Sequence, residues 1–304
     1  MDAAIGIVVR GALVADLMLL FGVPLFVIYS PAGVGTKITA PLRSMIVWIA
    51  LGGILLSMLG IAILTAAMSG LPLAQIDAAT LSMLVTQTSV GAAFLVRLTA
   101  TALAFVLALQ RSGRRAIVLA VALCGAVALG SLAWSGHGVM DDGRVGTLHL
   151  VADIVHLLAA GVWVGALASL LWVLITAGHS STAASHRALA GFASVGTASV
   201  ALVLLSGLIN SWLLVGPSNV LSLGTSLYGQ LLLIKLALFA GMIALAAINR
   251  FRLTPALGAA RTPDDALHVL RRLRGSLTLE TIAAFAILGL VAWLSTLEPP
   301  VAAM

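Results

Sequence analysis

The sequence predicts an all-α, polytopic membrane protein with eight transmembrane helices, and three observations carry that reading. Of 304 residues, 61% are hydrophobic and 9% charged, a balance incompatible with a soluble domain of this length. Between polar interruptions the apolar stretches reach the about 20 residues that a helix needs to cross a bilayer. They run continuously rather than as the short alternating segments of a transmembrane barrel.

The spans fall at approximately 6–30, 43–69, 82–109, 115–134, 147–177, 188–215, 226–250 and 276–297. The first begins just after Asp2 with no basic leader and no convincing small-residue cleavage site, so it reads as a true span and not a cleavable signal. The second is a long apolar run, and the third is an apolar run that carries Arg97. The fourth holds Cys124, the one cysteine of the chain, which excludes an intramolecular disulfide or a paired-cysteine metal motif and reads as a small core residue. The fifth carries polar side chains where hydrocarbon is expected. The longer spans project past the bilayer or tilt within it.

Basic residues fix the expected orientation. Lys37 and Arg43; Arg111, Arg114 and Arg115; Arg187; and the group from Arg250 to Arg274 lie in alternate loops, whereas the opposite loops carry little beyond Arg144. The positive-inside bias therefore predicts cytoplasmic basic loops and both termini outside. The net charge of +6 follows from this asymmetry and suits contact with anionic lipid. No soluble basic domain exists to hold nucleic acid.

An internal repeat emerges at an offset of about 137 residues. Leu13-Val14-Ala15-Asp16 returns as Leu150-Val151-Ala152-Asp153, and Gly91 precedes Arg97 by six residues as Gly229 precedes Lys235. Leu55-Leu56-Ser57 and Ala133-Trp134 echo more weakly in Leu204-Leu205-Ser206 and Ala292-Trp293. The expected organisation is two parallel four-helix halves, 1–134 and 135–304, integrated as one membrane domain. Each half has an acid on its first helix and a base on its third. Asp16 with Arg97, and Asp153 with Lys235, read either as ion pairs that hold helices together or as parts of a site.

Only the second half carries intramembrane histidines. Trp134-Ser135-Gly136-His137-Gly138 leads through a short loop with Met140 into a helix bearing His149, Asp153 and His156. Spacings of four, three and seven place the last three on one helical face. Imidazoles, a carboxylate and an outer thioether suit a transition metal, copper above all, better than magnesium or calcium. His137, Met140, His149, Asp153 and His156 are thus the expected metal residues. Hydrogen bonding to neighbouring helices is the plainer role for either helical histidine, and Asp153 fits a carboxylate that orients an imidazole. Met68 and Met83 fall at the same side. His179, His186 and His268 read as solvated loop residues, the first two being exit-side candidates. Gly161 and Gly165 allow close helix approach.

These motifs, with Leu157-Leu158-Ala159-Ala160-Gly161-Val162-Trp163-Val164-Gly165, Leu208-Ile209-Asn210-Ser211-Trp212, Tyr228-Gly229-Gln230 running to Lys235, and Asn249-Arg250 with Pro255, resemble the copper resistance protein D family. The resemblance rests mainly on 130–297. It implies a bacterial inner-membrane protein that takes up or transfers copper ions from the periplasm. Some relatives carry a fused periplasmic copper-binding domain that this chain lacks, so the resemblance implies either a separate periplasmic donor of the CopC type or none. No Walker motif or phosphorylatable aspartate motif points to an ATP-driven pump, and no enzyme activity is expected. The alternative from another class is a haem-binding electron-transfer protein. His149 and His156 lie on the same side of one helix and cannot ligate opposite faces of one haem, so that reading needs His137 to dip inward. A scaffold subunit in which every polar pair is structural is the third reading.

Overall fold

The computed structural model describes residues 2–30, 40–110, 114–135, 143–176 and 182–298. Eight helices are long and apolar enough to span a membrane, and no strand occurs among the described residues. In chain order the helices are α1 (Asp2–Tyr29), α2 (Ala40–Ser69), α3 (Ala78–Gln87), α4 (Ser89–Leu109), α5 (Arg115–Gly130), α6 (Gly143–Thr176), α7 (Thr182–Val215), α8 (Leu227–Ile248), α9 (Thr254–Gly258) and α10 (Pro263–Leu294).

Two expected boundaries move for local reasons. The run 82–109 is not one helix: Thr88 takes an extended conformation, and its hydroxyl accepts from the Gly91 amide at 3.0 Å, capping α4 and separating it from α3. A Cβ at Gly91 would fall on the Leu84 and Val85 carbonyls, so only glycine lets α4 start this close to the end of α3. α10 starts at Pro263 rather than near 276. Thr262 caps it by accepting from the Asp265 amide at 3.1 Å, with Asp264 and Asp265 in the first turn, where carboxylates complement the helix dipole. Its Arg271, Arg272 and Arg274 lengthen the helix beyond the apolar span. His186 and His268, expected in loops, sit on α7 and α10 respectively.

α1 is the central helix, packed against α2, α5, α6 and α10. Glycines set the closest approach. A Cβ at Gly22 would land on the Gly161 carbonyl oxygen and 2.8 Å from Gly165 Cα, so Gly161 and Gly165 bring α6 against α1 rather than lining a channel. This is the small-residue contact that drives helix association where lipid supplies no hydrophobic force. Gly125 does the same for α5, where a Cβ would sit 2.7 Å from the Phe21 amide nitrogen.

The second half is more open. α6 packs on α7, and α8 packs on α10, while α7 meets the chain beyond α8 chiefly at one end, through the π-helical segment Asn249–Leu253 and α9. The body of α7 and that of α8 therefore leave a cleft between them. Two cavities, of about 290 and 370 Å³, occupy it in series.

Candidate functional site

α6 carries its polar residues on successive turns facing α7. Asp153 Oδ1 accepts a hydrogen bond from Asn210 Nδ2 at 2.6 Å, and His156 Nδ1 lies 3.0 Å from Ser206 Oγ. Ser206 and Asn210 are four residues apart, and Asp153 and His156 three, so two antiparallel helices meet through two polar rungs. Polar groups buried in a bilayer need such partners, because no water is available to replace them.

The lower rung favours one tautomer of His156. Ser206 Oγ donates its single hydrogen to the Leu202 carbonyl at 2.6 Å, the usual back-bond of a helical serine. Its lone pairs then accept from His156, so Nδ1 is the N–H and Nε2 keeps the lone pair that binds metals. Gly207 makes room for the ring: a Cβ there would stand 3.3 Å from His156 Cε1. His156 and Lys235 both line the 290 Å³ cavity, with Met18, Trp163, Phe239 and Met242 among the other walls.

His149 lies one turn before Asp153 and is 1% exposed. It and Lys235 both act electrostatically on Asp153, and Lys235 also acts on His156. The hydrogen bond to Asp153, however, comes from Asn210. Tyr228, buried on α8, senses the same carboxylate. His137 and Met140 lie outside the described residues, as does His179. Among the described residues no group of three or more His, Cys, Asp or Glu side chains gathers as a metal cage. Met68 and Met83 are exposed. His186 packs over Gly258, where a Cβ would lie 2.7 Å from its Nε2.

The first half has similar placements without imidazoles. Arg97 is buried and donates from Nε to Ser57 Oγ at 3.2 Å and from Nη1 to Ser131 Oγ at 3.5 Å. Its partners are hydroxyls and not the Asp16 carboxylate. Asp16 instead rests on glycine: Cβ atoms at Gly52 and Gly53 would stand 2.8 Å from Oδ1 and Oδ2, and Oδ2 is buried without a hydrogen-bond partner. Thr88 and Ser226 each cap a helix three residues before the paired glycines Gly91 and Gly229.

Sequence reasoning passed over Ser206 as a functional residue and missed Glu280 altogether. Glu280 is 1% exposed on α10 and accepts from Asn249 Nδ2 at 2.5 Å. Its signal was available: it is an acid inside the apolar span 276–297, which is costly in lipid and marks a function by default.

Comparison with known proteins agrees with this architecture. Residues 1–147 match the family described as copper resistance protein D-like, N-terminal domain, and residues 186–294 match copper resistance protein D. Over 98% of both chains, the sequence is 41% identical to copper resistance protein D of Pseudomonas syringae pv. tomato.

The chain belongs to the copper resistance protein D family.

Its relatives extend to other bacteria. It is 30% identical to the inner membrane protein YebZ of Escherichia coli K12 over 55% of each chain. It is also 30% identical to the copper transport protein CutJ of Bacillus subtilis 168, over 38% of this chain and 21% of that one. No solved structure matches. Its eight apolar helices make this chain a multi-pass membrane protein.

Proposed function

We propose that this protein takes copper ions from the periplasmic side of the inner membrane and passes them inward along α6, as substrate and not as a fixed cofactor. The observation that carries the reading is the hydrogen-bond order at His156: Ser206 occupies Nδ1 and leaves Nε2 with a lone pair beside a cavity. Asn210 holds Asp153 one turn above, and His149 follows one turn further. His137 and Met140, in the loop that enters α6, are proposed to capture the ion first. Relatives named copper resistance protein D and copper transport protein CutJ support the choice of metal.

The site is incomplete by the standard of a structural metal cage, and that suits transfer. A path must bind an ion strongly enough to admit it and weakly enough to release it. Imidazoles and a thioether match copper, and Asp153 serves either as a carboxylate ligand or as the group that orients His149. The polar elements shared by the two halves support a duplication, with halves 1–134 and 135–304, of which only the second kept metal chemistry. The basic loops support periplasmic termini, and a donor of the CopC type would then deliver copper at the start of α6.

Copper stoichiometry of the purified protein tests the proposal, measured by elemental analysis for wild type and a His149→Ala/His156→Ala double variant. Binding lost in a variant that still elutes as a folded monodisperse protein is the expected result. Equal binding in both, or none in either, overturns it.

A further inference from the structure

We propose that Glu280 is a proton-carrying site at the opposite end of the α7–α8 cleft from the histidines, and that its protonation accompanies copper movement. The coupling to copper rests on the function proposed above; the proton site itself does not.

The two cavities of the cleft share the walls Trp163 and Leu204. His156 and Lys235 line one cavity; Asn249 and Glu280 line the other, of about 370 Å³. Glu280 sits on α10 where α8 passes into the π-helical segment beginning at Asn249. Such bulges turn side chains out of helical register and occur frequently at functional sites.

The chemistry around Glu280 is that of a proton acceptor. Asn249 Nδ2 donates to Oε1 at 2.5 Å and the Ser276 hydroxyl also acts on this carboxyl, yet Asn249 Oδ1 is buried with no hydrogen-bond partner. A proton on Oε2 converts the carboxylate into a donor for this orphaned oxygen. With Asn249 Oδ1 it closes a cyclic acid–amide pair, two hydrogen bonds between two planar groups. The balance is simple: Glu280 gains one proton and loses its charge, and no other bond changes. A buried carboxyl in an apolar wall is cheapest in that neutral form.

Among the described residues that line this cavity, none pairs its charge with Glu280. Arg250, at the same cavity, donates to the Ala193 carbonyl and to Thr197 Oγ1 on α7. α6 and α7 present no titratable side chain to this cavity, and α9 presents Thr254. α1 brings Tyr29 to the same apolar cluster without lining the cavity. A soft metal ion finds no histidine, cysteine or methionine here, so the site suits a proton and not monovalent copper.

The test uses the full chain in proteoliposomes and dicyclohexylcarbodiimide, an apolar reagent that adds to protonated carboxyls and leaves a mass tag. Peptide mapping is expected to find the tag on Glu280 in wild type, falling several-fold from acid to alkaline pH. Absence of the tag at Glu280 in folded protein, or tagging that ignores pH, overturns the proton site. In parallel, copper entry into the same vesicles is followed across a pH series for wild type and Glu280→Gln, which keeps the shape and the Asn249 contact. A several-fold pH dependence that flattens in Glu280→Gln is expected, and the wild-type profile in the variant overturns the coupling. If wild type admits no copper, the copper path and the coupling fall together, while the tag still decides the proton site.

Discussion

Asn210 on α7 donates to Asp153 on α6 across 2.6 Å, and it does so one helical turn from the Ser206–His156 contact. Two short polar side chains on α7 thereby set the orientation of both an acid and an imidazole on α6. In the copper path proposed above, Asn210 orients a carboxylate by donating to it and does not bind the ion itself. Groups in that position commonly change metal affinity by about 10–100-fold when removed.

Asn210→Leu is therefore expected to weaken copper binding by about 10-fold or more without removing any ligand. Asn210→Asp sets two carboxyl groups together and should be the worse of the two substitutions. Competition against a copper chelator of known affinity reads both, and unchanged affinity in a folded Asn210→Leu protein would remove Asp153 from the path.

Ser206→Ala takes away the acceptor that holds the proton on His156 Nδ1. The ring then has freedom to move the proton to Nε2, which competes with the metal. Nitrogen chemical shifts of labelled histidine are expected to change from one tautomer to a mixture, and copper affinity to drop by about 10-fold. Retention of a single Nδ1–H tautomer in Ser206→Ala would show that Ser206 is not what fixes it.

Most of the bundle was legible in the sequence because lipid imposes one rule, long apolar helices with satisfied backbones. The eight spans and the role of Gly161 and Gly165 in helix approach follow from that rule alone. The partner of those glycines did not, since nothing in α6 names Gly22 of α1 as the surface it meets. The break at Thr88 was hidden for a different reason: both sides are apolar, and only the cap reveals the turn. At the site, His149, Asp153 and His156 share a face by spacing. The partners of His156 and Asp153, Ser206 and Asn210, lie 50 and 57 residues away on another helix, a distance at which periodicity carries no information. Whether Asp16 pairs with Arg97 was open in the sequence, because opposite charge says nothing about which hydroxyls stand closer, and Arg97 bonds Ser57 and Ser131.

Gly165→Leu is expected to separate α1 from α6. Its Cβ alone would stand 2.8 Å from the Val23 amide nitrogen and closer still to Gly22, and the rest of the side chain has no room. Overpacking of this kind costs about 1–3 kcal/mol. A lower melting temperature in detergent, with Gly60→Leu as the control because nothing lies near that Cβ, checks it. Equal melting of the two variants would mean that the α1–α6 contact does not limit stability.

Trp163 stands between the two cavities, 4% exposed, with its ring 5.6 Å from Phe239 at an interplanar angle of 68°. An edge-to-face pair in this position closes the cleft with apolar surface, and apolar constrictions exclude ions by excluding water. Trp163→Ala removes the shared wall and is expected to cost about 3–5 kcal/mol in stability, so the informative variant is Trp163→Phe, which keeps a ring while thinning the barrier. Proteoliposomes of Trp163→Phe should leak protons several-fold faster than wild type under an imposed pH gradient, with copper affinity at His156 unchanged. Leak that rises together with loss of copper binding would place Trp163 in the site itself. An unaltered leak in both Trp163→Phe and Phe239→Ala would mean that the cavities are separate pockets, and that the polar residues at the two ends of the cleft do not share a path.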